Sequence, residues 1–359
     1  MAESHAPAGG SNTPAGSAQT QQPGAPQRER GWGSTLTALA AFLLVPATPL
    51  LRTIVPIEQT WVLLLPALAV CTLVGWRAGG RVGLALLWTA LAAWVLTHPA
   101  SRDAAPGPYE QLARGWGLLL AGAFGIVFLL GKRQRFFPTA LSGVALALAA
   151  GAGVTLLSAE PSRLRRTVMV ELEAREAPLI ARWEQIWASP EGRQRLGESH
   201  ELVESVEETG EFWRALPRRA TTLAPAMLAL ESLAALAIAW GLYHRMSRVR
   251  IGPPLAPLKQ FRFNDQLIWG VIVGVTLLVL PTLSQWHGAG ANLTLFFGIL
   301  YAIRGLGVLS YFVAPGWLTA VTLTLLVPLL WPFYAVGALG LGLGDTWLDW
   351  RRRPRSTTT

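Results

Sequence analysis

Long apolar stretches, each of about twenty residues, alternate with short charged ones along most of this chain. They lie near 34–51, 60–76, 82–97, 115–131, 138–158, 222–243, 267–286 and 291–313, and a last one runs from Trp317 to about Trp347. Soluble cores bury much shorter runs, whereas an uncharged run of this length fits a bilayer-spanning helix. The pattern therefore predicts an all-α, polytopic transmembrane helical bundle with about nine or ten membrane segments. The last region, as one helix, would extend roughly 45 Å against a hydrocarbon core of about 30 Å. Pro328 and Pro332 lie near its middle, so two short segments at about 317–331 and 333–347 are expected. A single long tilted helix, giving nine segments, is the alternative.

The stretch from Glu160 to Arg219 is different in kind, with twelve of the twenty-one acidic residues and ten arginines. Pro161 and Ser189–Pro190 read as helix starts, because proline suits the first helical turn. Val168, Leu172, Leu179, Trp183 and Trp187 recur at near-helical spacing. Leu202, Val203, Val206, Trp213 and Leu216 continue an apolar face past a break at Gly210. Two or three amphipathic helices outside the membrane follow, packed on each other or on the bilayer surface; a lid over a substrate entrance is the sharper alternative. The chain then divides into a disordered tail (1–31), a first transmembrane block (32–158), an extracytoplasmic helical insert (159–220), a second transmembrane block (221–350) and a basic cytoplasmic tail (351–359).

Only 14% of the residues are charged, yet the net charge is +9. The basic residues sit beside apolar runs, as in cytoplasmic loops of membrane proteins, so nucleic acid is not the expected partner. With the N-terminus cytoplasmic, Arg77, Arg81, Lys132, Arg133, Arg135, Arg245, Arg248, Arg250, Lys259 and Arg262 all fall on the inner side. An even number of crossings brings the C-terminal arginines there too. Trp61, Trp76, Trp116, Trp240, Trp269, Trp286 and Trp317 stand near segment ends, as an interfacial belt requires. The arginine-, alanine- and glycine-rich composition points to a bacterial plasma membrane.

No phosphate loop, HExxH, GxSxG or pair of intramembrane aspartates occurs, so no catalytic residue is assigned and no enzyme is expected. Cys71 is the sole cysteine and the five histidines are scattered, so no metal or other cofactor is expected. Small-residue rows at Gly117–Ala121–Gly125, Gly143–Ala147–Gly151 and Gly340–Gly344 suit close helix packing. Two charges, Glu231 and Arg304, lie deep in apolar segments. An arginine at mid-membrane costs about 2.5–3.5 kcal/mol, so a Glu231–Arg304 ion pair is the economical expectation. Such a pair either locks two helices or lines a ligand cavity. In the basic loop ending FRFNDQLIWG, which contains Arg262, either Asn264 or Asp265 suits the cap of the next helix. Asp345 and Asp349, beside Trp347 and Trp350, suit an interfacial helix end.

That loop motif, the Arg304–Gly305 step and the C-terminal GLGDTWLDWRRR together resemble the YybS-like family of uncharacterised bacterial multi-pass membrane proteins. The resemblance covers roughly 222–353, and arginine at 304 stands where the family pattern often has glutamine. It implies an architecture similar to the S components of energy-coupling-factor vitamin transporters, an analogy of fold alone.

The expected function is to bind or move a small solute, with the lipid bilayer as surroundings and a membrane or ATPase protein as candidate partner. The alternative is a non-catalytic scaffold that holds a partner through the insert or the basic cytoplasmic loops.

Overall fold

The computed structural model of the protein describes residues 31–98, 107–131, 135–158, 161–187, 189–196, 200–313 and 317–352. The tail over 1–30, the arginine-containing loop at 99–106, the basic residues 132–134 and the C-terminal 353–359 lie outside the described residues. Every regular element among those described is helical. The first block comprises α1 (Trp32–Leu44), α2 (Pro49–Ile54), α3 (Trp61–Arg77), α4 (Val82–Thr97), α5 (Pro108–Leu130) and α6 (Phe136–Leu157). The insert supplies α7 (Pro161–Trp187), α8 (Pro190–Leu196) and the beginning of α9 (His200–Met246). The chain continues with α10 (Ile268–Val279), α11 (His287–Val313) and α12 (Trp317–Leu348). Among the described residues, helices at Pro108–Leu130, Phe136–Leu157, Glu201–Met246 and Pro281–Phe312 are long and apolar enough to cross a membrane. Exposed Leu86, Leu118, Ile126, Leu157, Trp269, Val279 and Val336, spread over α4, α5, α6, α10 and α12, give the bundle an apolar outer surface that only lipid would cover without penalty.

The C-terminal half of α9 is the hub of the bundle, packing on α1, α3, α6 and α11. Its Trp240 and Tyr243 are almost fully buried, and the Trp240 ring lies 5.4 Å from Phe128 and 5.6 Å from Phe136. The small-residue rows let neighbouring backbones approach. A methyl at Gly117 would collide with the Val62 carbonyl, and one at Gly143 with Phe124. Gly340 instead faces open space. The close approach to α12 is made by Gly342, which meets Tyr301 of α11, and by Gly305, which meets Ala338.

Several expected boundaries move. The first apolar segment breaks after Leu44 into a 3-10 turn and the short α2, where Pro46 and Pro49 interrupt the backbone donors. Residues 317–348 form one helix rather than two, although Pro328 and Pro332 lie within it. In apolar surroundings a helix keeps most of its backbone groups paired through a proline, which a break would not. In the insert, Pro161 and Pro190 begin helices as expected, but α9 runs through Gly210 without a break. That glycine sits against the Trp183 ring, so its smallness serves the packing of α9 on α7.

At Pro225 the internal bonding of α9 is completed from outside. The Asn292 side chain of α11 accepts from the Ala226 N–H at 2.9 Å and donates to the Thr222 carbonyl at 2.7 Å. Those two groups are partners in an undisturbed helix, so the amide bonds both ends of the turn that contains Pro225. Asn292→Leu should therefore destabilise the protein by about 2 kcal/mol, the cost of leaving such groups unpaired. A thermal melt of the detergent-solubilised variant that matches wild type would refute this role.

Candidate functional site

Two polar assemblies stand out, at opposite ends of the second membrane block. The first gathers residues that are far apart in sequence. Arg304 of α11 donates from Nε to Asp345 Oδ2 at 2.9 Å, from Nη1 to Asp265 Oδ1 at 2.5 Å and from Nη2 to the Asp345 carbonyl at 3.2 Å. Its guanidinium lies 5.4 Å from the centroid of the Phe263 ring. Asp345 also receives Arg351 at 2.5 Å, and Arg262 reaches Asp349 at 2.5 Å. The Arg351 guanidinium donates further to the carbonyls of Lys259 and Phe261.

Local sequence explains how these side chains meet. Gly305 and Gly342 bring α11 and α12 close enough for Arg304 to reach Asp345. Asp349 takes a left-handed backbone (φ 40°), which aspartate tolerates better than most residues, and this turns the chain after α12 so that Arg351 folds back onto Asp345. Asn264 accepts from the Gln266 N–H and so starts the 3-10 turn that presents Asp265. The prolines at 253, 254 and 257 keep the preceding chain out of a helix, leaving the Lys259 and Phe261 carbonyls for Arg351.

The expected Glu231–Arg304 ion pair does not form. All three Arg304 nitrogens are taken by Asp345 and Asp265. Glu231 instead accepts from the Ile57 N–H at 3.1 Å. The reason is depth. At a rise of 1.5 Å per residue, Glu231 lies about 22 Å along α9 from Met246, the end from which the loop to Asp265 departs. Arg304 belongs to that loop's end of the bundle and Glu231 to the insert's end. Arg262, Asn264, Asp265, Arg304, Asp345 and Asp349, singled out by the sequence, are thus one cluster, and Glu231 belongs to another.

The second assembly holds the connection between α2 and α3. Tyr109 of α5 donates its hydroxyl hydrogen to the Pro56 carbonyl. Arg175 of α7 donates to the Val55 carbonyl at 3.1 Å and lies 5.0 Å from the centroid of the Tyr109 ring. With the Glu231 bond to Ile57, three helices grip three consecutive residues, Val55, Pro56 and Ile57. Beside this clamp opens a cleft of about 540 Å³, lined by Glu58, Tyr109, Arg163, Arg166, Val170 and Arg175 among others. Its carboxylates are already held: Glu58 by Arg52 at 2.7 Å, Glu110 by Arg114 at 2.5 Å and Glu171 by Arg175 at 3.0 Å. Among the described residues, no group of three or more His, Cys, Asp or Glu side chains is placed to hold a metal ion.

Sequence reasoning passed over Tyr109 and Arg175. A signal was present, because the apolar stripe at Val168, Leu172, Leu179 and Trp183 skips one turn, and Arg175–Glu176 fills it. Both side chains are in fact turned inward, at 9% and 1% exposure. Glu176 has no hydrogen-bond partner among the described residues. Burial, and secondarily the Glu173 carboxylate, push it up to about 7.

These features define a polytopic α-helical membrane protein. Within that class, residues 196–346 match the model of a family described as a predicted membrane protein (DUF2232), a family of unknown function. The match spans the end of the insert and most of the second membrane block, including Arg262, Asp265, Arg304 and Asp345 but not Asp349 or Arg351, and agrees with the YybS-like resemblance. No curated protein and no solved structure matches the chain.

Proposed function

We propose that this protein binds a small acidic solute in the cleft between the insert and the first membrane block, as a non-catalytic component of a bacterial plasma membrane. The observation that carries the reading is the cleft itself: its volume of about 540 Å³ lies within the range of small-molecule sites. The gripped α2–α3 connection gives it a fixed wall, and fixed walls lower the cost of binding. Glu58, Glu110 and Glu171 are each neutralised by an arginine, and the cation of Arg166 has no carboxylate partner among the described residues, so it selects for an anionic ligand. Arg304 itself, with every guanidinium nitrogen engaged, acts as a lock between helices and not as a ligand group.

The orientation that accompanies this reading puts the insert outside the cell. The basic loop between α9 and α10 faces the cytoplasm, and so does the C-terminus, whose Arg351 is bonded to that loop. The cleft then opens outward and receives solute from the cell exterior.

Native mass spectrometry of the full-length protein, extracted from its own membranes, tests the proposal. Wild type should retain a small molecule that Val170→Trp, which fills the cleft from an exposed position, loses while keeping its fold. A wild-type chain that carries no small molecule but brings down another membrane protein would favour the scaffold reading instead.

A further inference from the structure

A second cleft, of about 430 Å³, opens at the other end of the bundle between the α9–α10 loop, α11 and the C-terminal turn. Its lining is Lys259, Gln260, Arg262, Tyr311 and Arg351, three cations and no carboxylate. We propose that this cleft binds the phosphate of an anionic phospholipid headgroup.

The charge arithmetic comes first. Arg351 and Arg262 are each steadied on one side by an aspartate, Asp345 and Asp349 respectively. Around the whole assembly Lys259, Arg262, Arg304 and Arg351 face Asp265, Asp345 and Asp349, so one positive charge is uncompensated. That charge belongs to Lys259, which is exposed and makes no ion pair among the described residues. The salt bridges hold two guanidinium groups in place beside it: Arg262 spends one nitrogen on Asp349 and keeps its other donors, and Arg351, bonded to Asp345 and to the Lys259 and Phe261 carbonyls, adds its fixed charge. Preset donors around a vacant positive site are the requirement for a phosphate.

Position then selects the source of that phosphate. The loop joins two membrane helices, so the cleft lies at the boundary of the bilayer. Leu258 and Phe312, each next in sequence to a lining residue, are exposed at 42% and 53%. A phospholipid uses both features, placing its phosphate on the cations and an acyl chain along the apolar side chains; inorganic phosphate uses only the first. A zwitterionic headgroup brings its own cation toward Lys259 and loses the advantage. The site is separate from the outer cleft and does not depend on what that cleft binds.

The test is native mass spectrometry of the full-length protein in detergent with equimolar phosphatidylglycerol and phosphatidylcholine. Wild type should retain phosphatidylglycerol in preference, and Lys259→Gln should lower that preference about fivefold, the contribution of one cation near a lipid surface. Lys259→Arg should keep it. Arg182→Gln, an exposed cation on α7, should leave it unchanged. Lys259 projects into solvent, so its replacement leaves the fold intact, which size-exclusion chromatography would show. Equal retention of the two lipids by wild type would overturn the proposal, as would equal losses in the Lys259→Gln and Arg182→Gln variants. Displacement of the bound lipid by millimolar inorganic phosphate would overturn the lipid assignment.

Discussion

Asp345→Asn should cost the folded protein about 4 kcal/mol, enough to remove most of it from the membrane fraction of an expressing cell. The Asp345 side chain has no solvent exposure and is shared by Arg304 at 2.9 Å and Arg351 at 2.5 Å. Without its charge, two guanidinium groups remain buried on either side of a neutral amide. Removing one partner from a buried ion pair typically costs about 3–5 kcal/mol, because the remaining charge stays desolvated. Asp265 offers the internal control. It also pairs with Arg304, at 2.5 Å, but its side chain is 58% exposed. Asp265→Asn should therefore lose less than about 1 kcal/mol. Arg304→Gln should fall between the two, since Arg351 still neutralises Asp345. Melting curves in one detergent give the order directly, and similar losses for Asp345→Asn and Asp265→Asn would contradict the shared-carboxylate account.

The contrast between what could and could not be read beforehand has a physical basis. Bilayer thickness sets segment length, so apolar runs marked nearly every membrane helix, and proline marked the starts of α7 and α8. Interruptions were harder to read, because a proline's effect depends on what surrounds it. Pro225 sits within an unbroken α9, where Asn292, 67 positions away, bonds the Thr222 carbonyl and the Ala226 N–H on either side of it. The residues of the Arg304 cluster were each conspicuous as charges in apolar or motif contexts. Their convergence was not legible, because it depends on the approach of α11 and α12 at Gly305 and Gly342 and on the turn at Asp349. Opposite sign alone suggested Glu231 for Arg304; depth along the helices decided otherwise. The clamp on the α2–α3 connection was invisible for a related reason. It is built by one residue from each of three helices around a backbone segment, and no periodicity records which backbone carbonyl an arginine will reach.

The insert should lose stability as the pH rises, contrary to the behaviour of most acidic surfaces, and Glu176 is the cause. Its carboxyl is buried without a partner and held near 7, against an ordinary value of 4.5. Between those two values the folded chain keeps a proton that the unfolded chain has released. The contribution of Glu176 is therefore fully present below about pH 4.5 and declines as the pH rises through about 7. At about 1.4 kcal/mol per unit of displacement, the loss by pH 8 is at most about 3 kcal/mol, less whatever water screens. Glu176→Gln removes the ionisation but keeps the shape, so it should melt like wild type at pH 4.5 and clearly higher at pH 8. Glu173→Gln should recover only part of that gain, because the neighbouring carboxylate is the smaller cause and burial the larger. Parallel pH profiles for wild type and Glu176→Gln would mean that the carboxylate finds a partner on ionising, and the inward-turned Arg175–Glu176 step would then be a paired unit of the clamp instead of a strained one.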